Sequence, residues 1–111
     1  MNVLFVCSQN KLRSPTAERV FSRWPGIEVD SAGLNNDAEN PVTPENVAWA
    51  DVIFVMEKTH RSKLSKRYRK HLRARVVCLG IPDEYDFMDE ALVALLQTRV
   101  PSFLPSPPPT R

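Results

Sequence analysis

Apolar residues along this chain alternate between two spacings. Short unbroken runs, Val3-Leu4-Phe5-Val6, Val52-Ile53-Phe54-Val55-Met56 and Val76-Val77-Cys78-Leu79, suit strands buried on both faces. Residues 27–31 add a shorter strand before the turn Ala32-Gly33. The stretches between them carry helical spacing. Residues 15–24 place Ala17, Val20, Phe21 and Trp24 on one face, start at Ser14-Pro15 and stop at Pro25-Gly26. Thr43-Pro44 opens a short second helix, residues 58–72 form a basic helical stretch, and residues 87–98 put Met88, Leu92, Leu95 and Leu96 on one side. Residues 34–42 are polar and show no regular element.

The order β-α-β-α-β-α-β-α predicts an α/β fold, a doubly wound sheet of four parallel strands flanked by helices. Ligands of such sheets bind beyond the carboxyl ends of the strands. Cys7, Ser31, Met56 and the loop after Leu79 occupy those ends. A length of 111 residues suits one domain, read as residues 1–100, with an extended, mobile proline-rich tail over 101–111. Two cysteines are too few for a secreted disulfide framework, and no metal-ligand spacing is present. No apolar run approaches the roughly 20 residues of a membrane span, and the first residues lack the pattern of a signal peptide. A cytoplasmic protein without membrane contact is expected.

The chemistry concentrates at the first strand end. Cys7-Ser8-Gln9-Asn10-Lys11-Leu12-Arg13-Ser14 connects strand to helix. A loop of this length can wrap its backbone N–H groups around an anion, with the helix dipole adding positive potential. An arginine in its last turn can hold two oxygens of a tetrahedral oxyanion. The same donors stabilise a thiolate at the start of the loop. Thiolate, N–H cradle and bidentate arginine together are what phosphoryl transfer to sulfur requires.

Cys7–Glu18 reads CSQNKLRSPTAE, which resembles the phosphate-binding loop C-x5-R-[ST]-P-x-A-E of the low-molecular-weight protein tyrosine phosphatases. The resemblance continues through Ser31-Ala32-Gly33, ADVIFVME over residues 50–57 and IPDEYDF over residues 81–87, and is greatest to the short bacterial branch of the family. It implies that Cys7 is a nucleophile forming a cysteinyl-phosphate, that Arg13 clamps the phosphoryl oxygens, and that Ser14 stabilises the thiolate. Asn10 matches the asparagine that shapes the loop, and Ser31 the serine bonded to it. The family's general acid is an aspartate in a D-P-[YF] pattern after the fourth strand. Asp83 aligns with it, although Glu84 replaces the proline. Asp86 is a rival acid and a natural N-cap for the helix expected at Phe87. Tyr85 stands either as an aromatic lip beside the substrate or as a half-buried loop residue. The family's second aromatic wall, and the histidine it carries in that region, have no counterpart after Gly33.

The resemblance implies a cofactor-free phosphomonoesterase, with a phosphotyrosine protein or a small phosphomonoester as substrate. A phosphate- or nucleic-acid-binding module with weak catalysis is the alternative, and arsenate reduction a third. The last needs further thiols, and Cys78 reads as a core residue. Residues 58–75 hold nine Lys or Arg and no Asp or Glu, whereas the remaining six basic and thirteen acidic residues sum to −7. Such a run is either a solvated helix face or the footprint of an anionic partner. His60 and His71, within it, read as surface residues.

Overall fold

The central strand, β1 (Asn2–Cys7), builds both layers of the fold, because its successive side chains point to opposite faces. Val3, Phe5 and Cys7 meet α1 (Arg13–Phe21) and α4 (Glu90–Arg99) through Ala17, Phe21, Leu92 and Leu96. Leu4 and Val6 face α2 (Pro44–Trp49) and α3 (Lys58–Arg67) through Val47 and Leu64. The same division continues on β3 (Val52–Val55), whose Phe54 belongs to the first layer and whose Ile53 and Val55 belong to the second. Phe5 stacks between Phe54 and Phe21, with ring centroids 5.3 and 5.8 Å away. A buried aromatic of this kind contributes on the order of 3–5 kcal/mol against alanine.

The computed structural model describes residues 1–105; residues 106–111 lie outside the described residues. The sheet has four strands in the order β2-β1-β3-β4, where β2 is Glu28–Gly33 and β4 is Arg75–Cys78, and every pairing is parallel. Cys7 pairs with Gly33, Val6 with Val55, and Val55 with Cys78. Chain direction reverses across this order: β1 leads to the edge strand β2, while β3 leads to the opposite edge, β4. The loops after β1 and β3 therefore diverge and leave a crevice at their carboxyl ends.

Several boundaries differ from those the sequence predicts. Helix α1 starts at Arg13, two residues before Pro15, and Ser14 is not its cap. Helix α3 stops at Arg67, because Tyr68 turns inward and donates its hydroxyl to the Val42 carbonyl at 2.9 Å. Helix α4 starts at Glu90, capped by Asp89, which accepts from the Ala91 N–H at 2.9 Å. Asp86 is thus no N-cap, and that role falls to Asp89. Met88 lies outside the helix, 36% exposed with φ 62°, and its N–H donates to Thr16 Oγ1 at 2.9 Å. That bond ties the loop before α4 to the first turns of α1 instead of letting it coil.

The segment after residue 100 also differs. Pro101–Phe103 forms a 3-10 turn, Leu104 is buried in the first layer, and Trp24 Nε1 donates to the Pro105 carbonyl at 2.9 Å. The expected mobile tail is packed structure as far as Pro105. Its final residues, 106–111, lie outside the described residues.

Candidate active site

Between the end of β1 and the start of α1 the chain has only residues 8–12 in which to turn. It does so through Asn10, whose backbone is left-handed at φ 57°, a conformation asparagine adopts more readily than most residues. The carbonyls of this loop are bonded to the segment after β2. Leu34 N–H donates to Cys7 O at 2.9 Å, and Asn35 and Glu39 donate to Ser8 and Gln9 O at 3.0 Å. No backbone N–H of residues 8–12 donates to another described residue. These donors, with the N-terminus of α1, form a cradle for an anion.

The loop sits this close to β2 only because residue 33 is glycine. A Cβ there would lie 2.5 Å from Ala38 Cβ and 2.7 Å from the Ser8 carbonyl. The polar segment 34–42 is therefore not a free loop. Leu34, Ala38 and Val42 are buried, and its backbone supports the cradle from behind.

Behind Cys7 runs a chain of hydrogen bonds whose direction is set by its ends. Glu18, as a carboxylate, only accepts, so Ser31 donates to it at 2.5 Å. Ser31 Oγ in turn accepts from Asn10 Nδ2 at 2.9 Å, and the same amide donates to Ser14 Oγ at 2.9 Å. Ser14 Oγ lies 2.9 Å from Cys7 Sγ. A thiolate can only accept, so in that form the Ser14 hydroxyl donates to sulfur. Cys7, Asn10, Ser14 and Ser31 are all buried.

Arg13 is 3% exposed and held from two sides. Its Nη1 donates to Glu57 Oε2 at 2.6 Å and to the Ile81 carbonyl at 2.8 Å. Glu57 follows β3 and Ile81 follows β4, so the ends of two further strands aim the guanidinium back at the loop. Nε and Nη2 remain unbonded among the described residues, and Asp83 Oδ1 stands 3.8 Å from Nε. The hydrogen bond from Arg13 holds the Glu57 carboxyl below its ordinary range, against a smaller opposing effect of burial.

His60, in the first turn of α3, is 3% exposed, which corrects the expectation of a surface histidine. Its Nδ1 accepts the Glu57 backbone N–H at 3.1 Å, so the proton of the neutral ring is on Nε2, which donates to Ser8 Oγ at 3.0 Å. Burial, followed by the charge of Arg13, lowers its pKa and favours that neutral form. The Ser8 hydroxyl is left with its own proton to donate.

These groups surround a cavity of about 120 Å³ lined by Cys7, Ser8, Gln9, Lys11, Leu12, Arg13 and Asp83. The Cys7 sulfur, the Arg13 guanidinium and the exposed Asp83 carboxylate meet at one mouth, an arrangement that suits phosphoryl transfer to sulfur.

Comparison with known proteins agrees with that chemistry. Residues 2–50 match the model of the low molecular weight phosphotyrosine protein phosphatases. The chain is 30% identical to the low molecular weight protein-tyrosine-phosphatase Wzb of Escherichia coli (strain K12), with 85% of this chain and 84% of that one covered. The chain belongs to the low-molecular-weight protein-tyrosine-phosphatase family. Among solved structures, the tyrosine phosphatase Wzb from Escherichia coli K30 in complex with phosphate superimposes with a TM-score of 0.74 at 24% identity, over 92% of this chain and 94% of that one. Vibrio vulnificus Wzb in complex with benzylphosphonate gives 0.67 at 27% identity, over 86% and 89%. As a member of this family of cysteine-dependent phosphatases, the protein is a phosphomonoester hydrolase that works through a cysteinyl-phosphate.

Against the family's pattern, the structure separates the acidic-loop residues. Asp83 lines the mouth, whereas Asp86 is exposed and outside it. Tyr85 does not line the mouth either. It packs against the first core layer and borders a groove with Ala91 and Leu95 of α4. Cys78 is half-buried beside the second layer. Glu57 and His60 are the site residues that sequence reasoning missed. Their signal was present, since both follow a strand end next to β1, with Glu57 at the N-cap of α3 and His60 three residues on. No helix among the described residues is long and apolar enough to cross a membrane.

Proposed function

We propose that Cys7 is the nucleophile, Arg13 the transition-state clamp and Asp83 the general acid of this phosphatase, with phosphotyrosine in a protein or a small aryl phosphate as its substrate. Cys7 Sγ attacks phosphorus, forming the S–P bond as the P–O ester bond breaks. Asp83 gives its proton to the departing oxygen. Arg13, through Nε and Nη2, and the N–H groups of residues 8–12 bind the equatorial oxygens as charge spreads over them. In the second step Asp83 takes a proton from water. The oxygen of that water attacks phosphorus, the S–P bond breaks, and the thiolate returns to the hydroxyl of Ser14. The fixed positive field comes from Arg13 and the backbone, so the reaction is drawn without a metal.

The observation that carries this reading is the convergence of Cys7, Arg13 and Asp83 on one cavity, with Asp83 Oδ1 at 3.8 Å from Arg13 Nε. The test is turnover of p-nitrophenyl phosphate and of a phosphotyrosine peptide by Cys7→Ser, with mass spectrometry of the acid-quenched wild-type enzyme. The wild type should carry a phosphate on Cys7 and the variant should show no turnover. Residual activity in Cys7→Ser near the wild-type level would refute the assignment.

A further inference from the structure

The most basic part of the molecule is left unused by the reaction. Helix α3, the turn that follows it and the first residue of β4, Arg75, carry nine Lys or Arg without one acidic residue, and all nine are exposed. Arg61 and Arg67 donate to the carbonyls of Val76 and Leu34, and Arg75 lies over the Phe103 ring. The other six head groups, on Lys58, Lys63, Lys66, Arg69, Lys70 and Arg73, have no hydrogen bond or ion pair with any described residue. Every ion pair among the described residues sits instead at Arg13, Glu57, His60 and Asp83. Solubility needs mixed charge, and thirteen acidic residues were available elsewhere in the chain to provide it.

This basic surface is joined to the catalytic mouth. Its first turn bonds the loop through His60 and Ser8. Further along, Arg67 Nη1 holds the Leu34 carbonyl at 2.6 Å, and the N–H of Leu34 is bonded to Cys7 O. Beyond Arg67 the surface is concave: Lys66, Arg67, Arg69, Lys70 and His71 line a cleft of about 300 Å³. At the mouth itself Lys11 is exposed and adds a further cation.

Resting on the phosphatase reading above, we propose that α3 and its following turn form a docking surface for the substrate, and that the substrate is a phosphotyrosine flanked by a run of acidic or phosphorylated residues. The charges attract such a chain, and the continuity with the mouth places its phosphotyrosine at Cys7 while its acidic flank lies along Lys63, Lys66 and Lys70. A single-stranded nucleic acid would also meet the charge. It binds through aromatic platforms, however, and the one aromatic of this stretch, Tyr68, is buried with its hydroxyl bonded to Val42.

The test compares wild type with the triple variant Lys66→Glu, Arg69→Glu, Lys70→Glu, all at exposed positions outside the catalytic machinery. Substrates are a phosphotyrosine peptide with flanking Asp and Glu, the same peptide with neutral flanks, and p-nitrophenyl phosphate. The variant should raise KM for the acidic peptide about tenfold at low salt, as charge reversal at a partly screened rim does. The neutral peptide and p-nitrophenyl phosphate should be turned over as by wild type, and added salt should reproduce the loss in the wild-type enzyme. Equal KM for acidic and neutral peptides in the wild type would overturn the proposal. So would an oligonucleotide that binds more tightly than the acidic peptide and displaces it, or a concentration-dependent self-association abolished by the variant. Fluorescence polarisation of the labelled acidic peptide, on the Cys7→Ser background with and without the three reversals, reads docking without turnover. If wild type fails on p-nitrophenyl phosphate, the chemistry is refuted on its own, and the polarisation difference still decides the surface.

Discussion

Replacing Asp83 by asparagine separates acid catalysis from structure. The carboxylate is 67% exposed, and among the described residues its one ion pair is with Arg13 Nε, 3.8 Å away. An ion pair that open to solvent is worth under about 1 kcal/mol, so the variant should unfold at nearly the wild-type denaturant concentration. The rate should respond quite differently. A positioned general acid contributes about 10²- to 10⁴-fold, or about 2.7–5.4 kcal/mol of the barrier. That contribution depends on the leaving group. Tyrosine leaves as a phenolate of pKa about 10 and needs the proton, whereas p-nitrophenolate, a much weaker base, leaves largely unaided. Asp83→Asn should therefore lose about 10²-fold or more on a phosphotyrosine peptide and much less on p-nitrophenyl phosphate. The assay is kcat/KM on both substrates, which reports only the steps up to formation of the cysteinyl-phosphate, with stopped-flow release of p-nitrophenol. If Asp83 also activates water, a burst should appear as breakdown of the cysteinyl-phosphate becomes slow. Equal losses in kcat/KM on the two substrates would refute the reasoning. So would the same signature in Asp86→Asn with Asp83 intact.

Glu57→Ala takes the nearest carboxylate from a guanidinium that is 3% exposed, and Glu57 is itself 40% exposed. After allowance for solvent screening the cost is about 1–2 kcal/mol by urea unfolding, and KM should rise as Arg13 loses its aim. In wild type the depressed Glu57 pKa stabilises the fold above the ordinary 4.5 and stops doing so as pH falls through the lowered value, a dependence that Glu57→Gln should flatten. His60 follows the same sign. Its folded pKa lies below 6.5, so stability should fall as pH drops from 6.5 toward that value, because only the unfolded chain readily takes up the proton; stability against pH in wild type and His60→Gln checks this. Gly33→Ala should cost about 2 kcal/mol or more, and at least about tenfold in kcat, since its Cβ would meet Ala38 Cβ at 2.5 Å and the Ser8 carbonyl at 2.7 Å; a well-folded, fully active variant would show that the loop can move aside.

The loop from Cys7 to Ser14 was legible in the sequence because its pattern is local. Cys7, Asn10, Arg13 and Ser14 lie within eight consecutive residues, and the apolar run before them and the proline after them set strand and helix around the turn. The strands were legible for a similar reason, since four-residue apolar runs have few uses other than a sheet covered on both sides. Helix ends were less legible. Met88 has the spacing of a fourth apolar residue on α4, yet its N–H is captured by Thr16, 72 residues earlier in the chain. Spacing along one segment carries no information about such a partner.

By itself, then, the sequence determined the parallel α/β architecture and the strand-to-helix turn at Cys7, and the family resemblance singled out Asp83 as the acid to test. Tertiary structure alone decided what holds that turn in working order. It brought Glu57 to Arg13 and His60 to Ser8 across 44 and 52 residues. It set segment 34–39 against the loop carbonyls and turned Tyr85 away from the mouth. The physical reason is the strand order β2-β1-β3-β4, which places the ends of β1 and β3 side by side. Residues following two such strand ends become neighbours however far apart they are in the chain. Their hydrogen bonds then depend on sheet register, which no local pattern encodes.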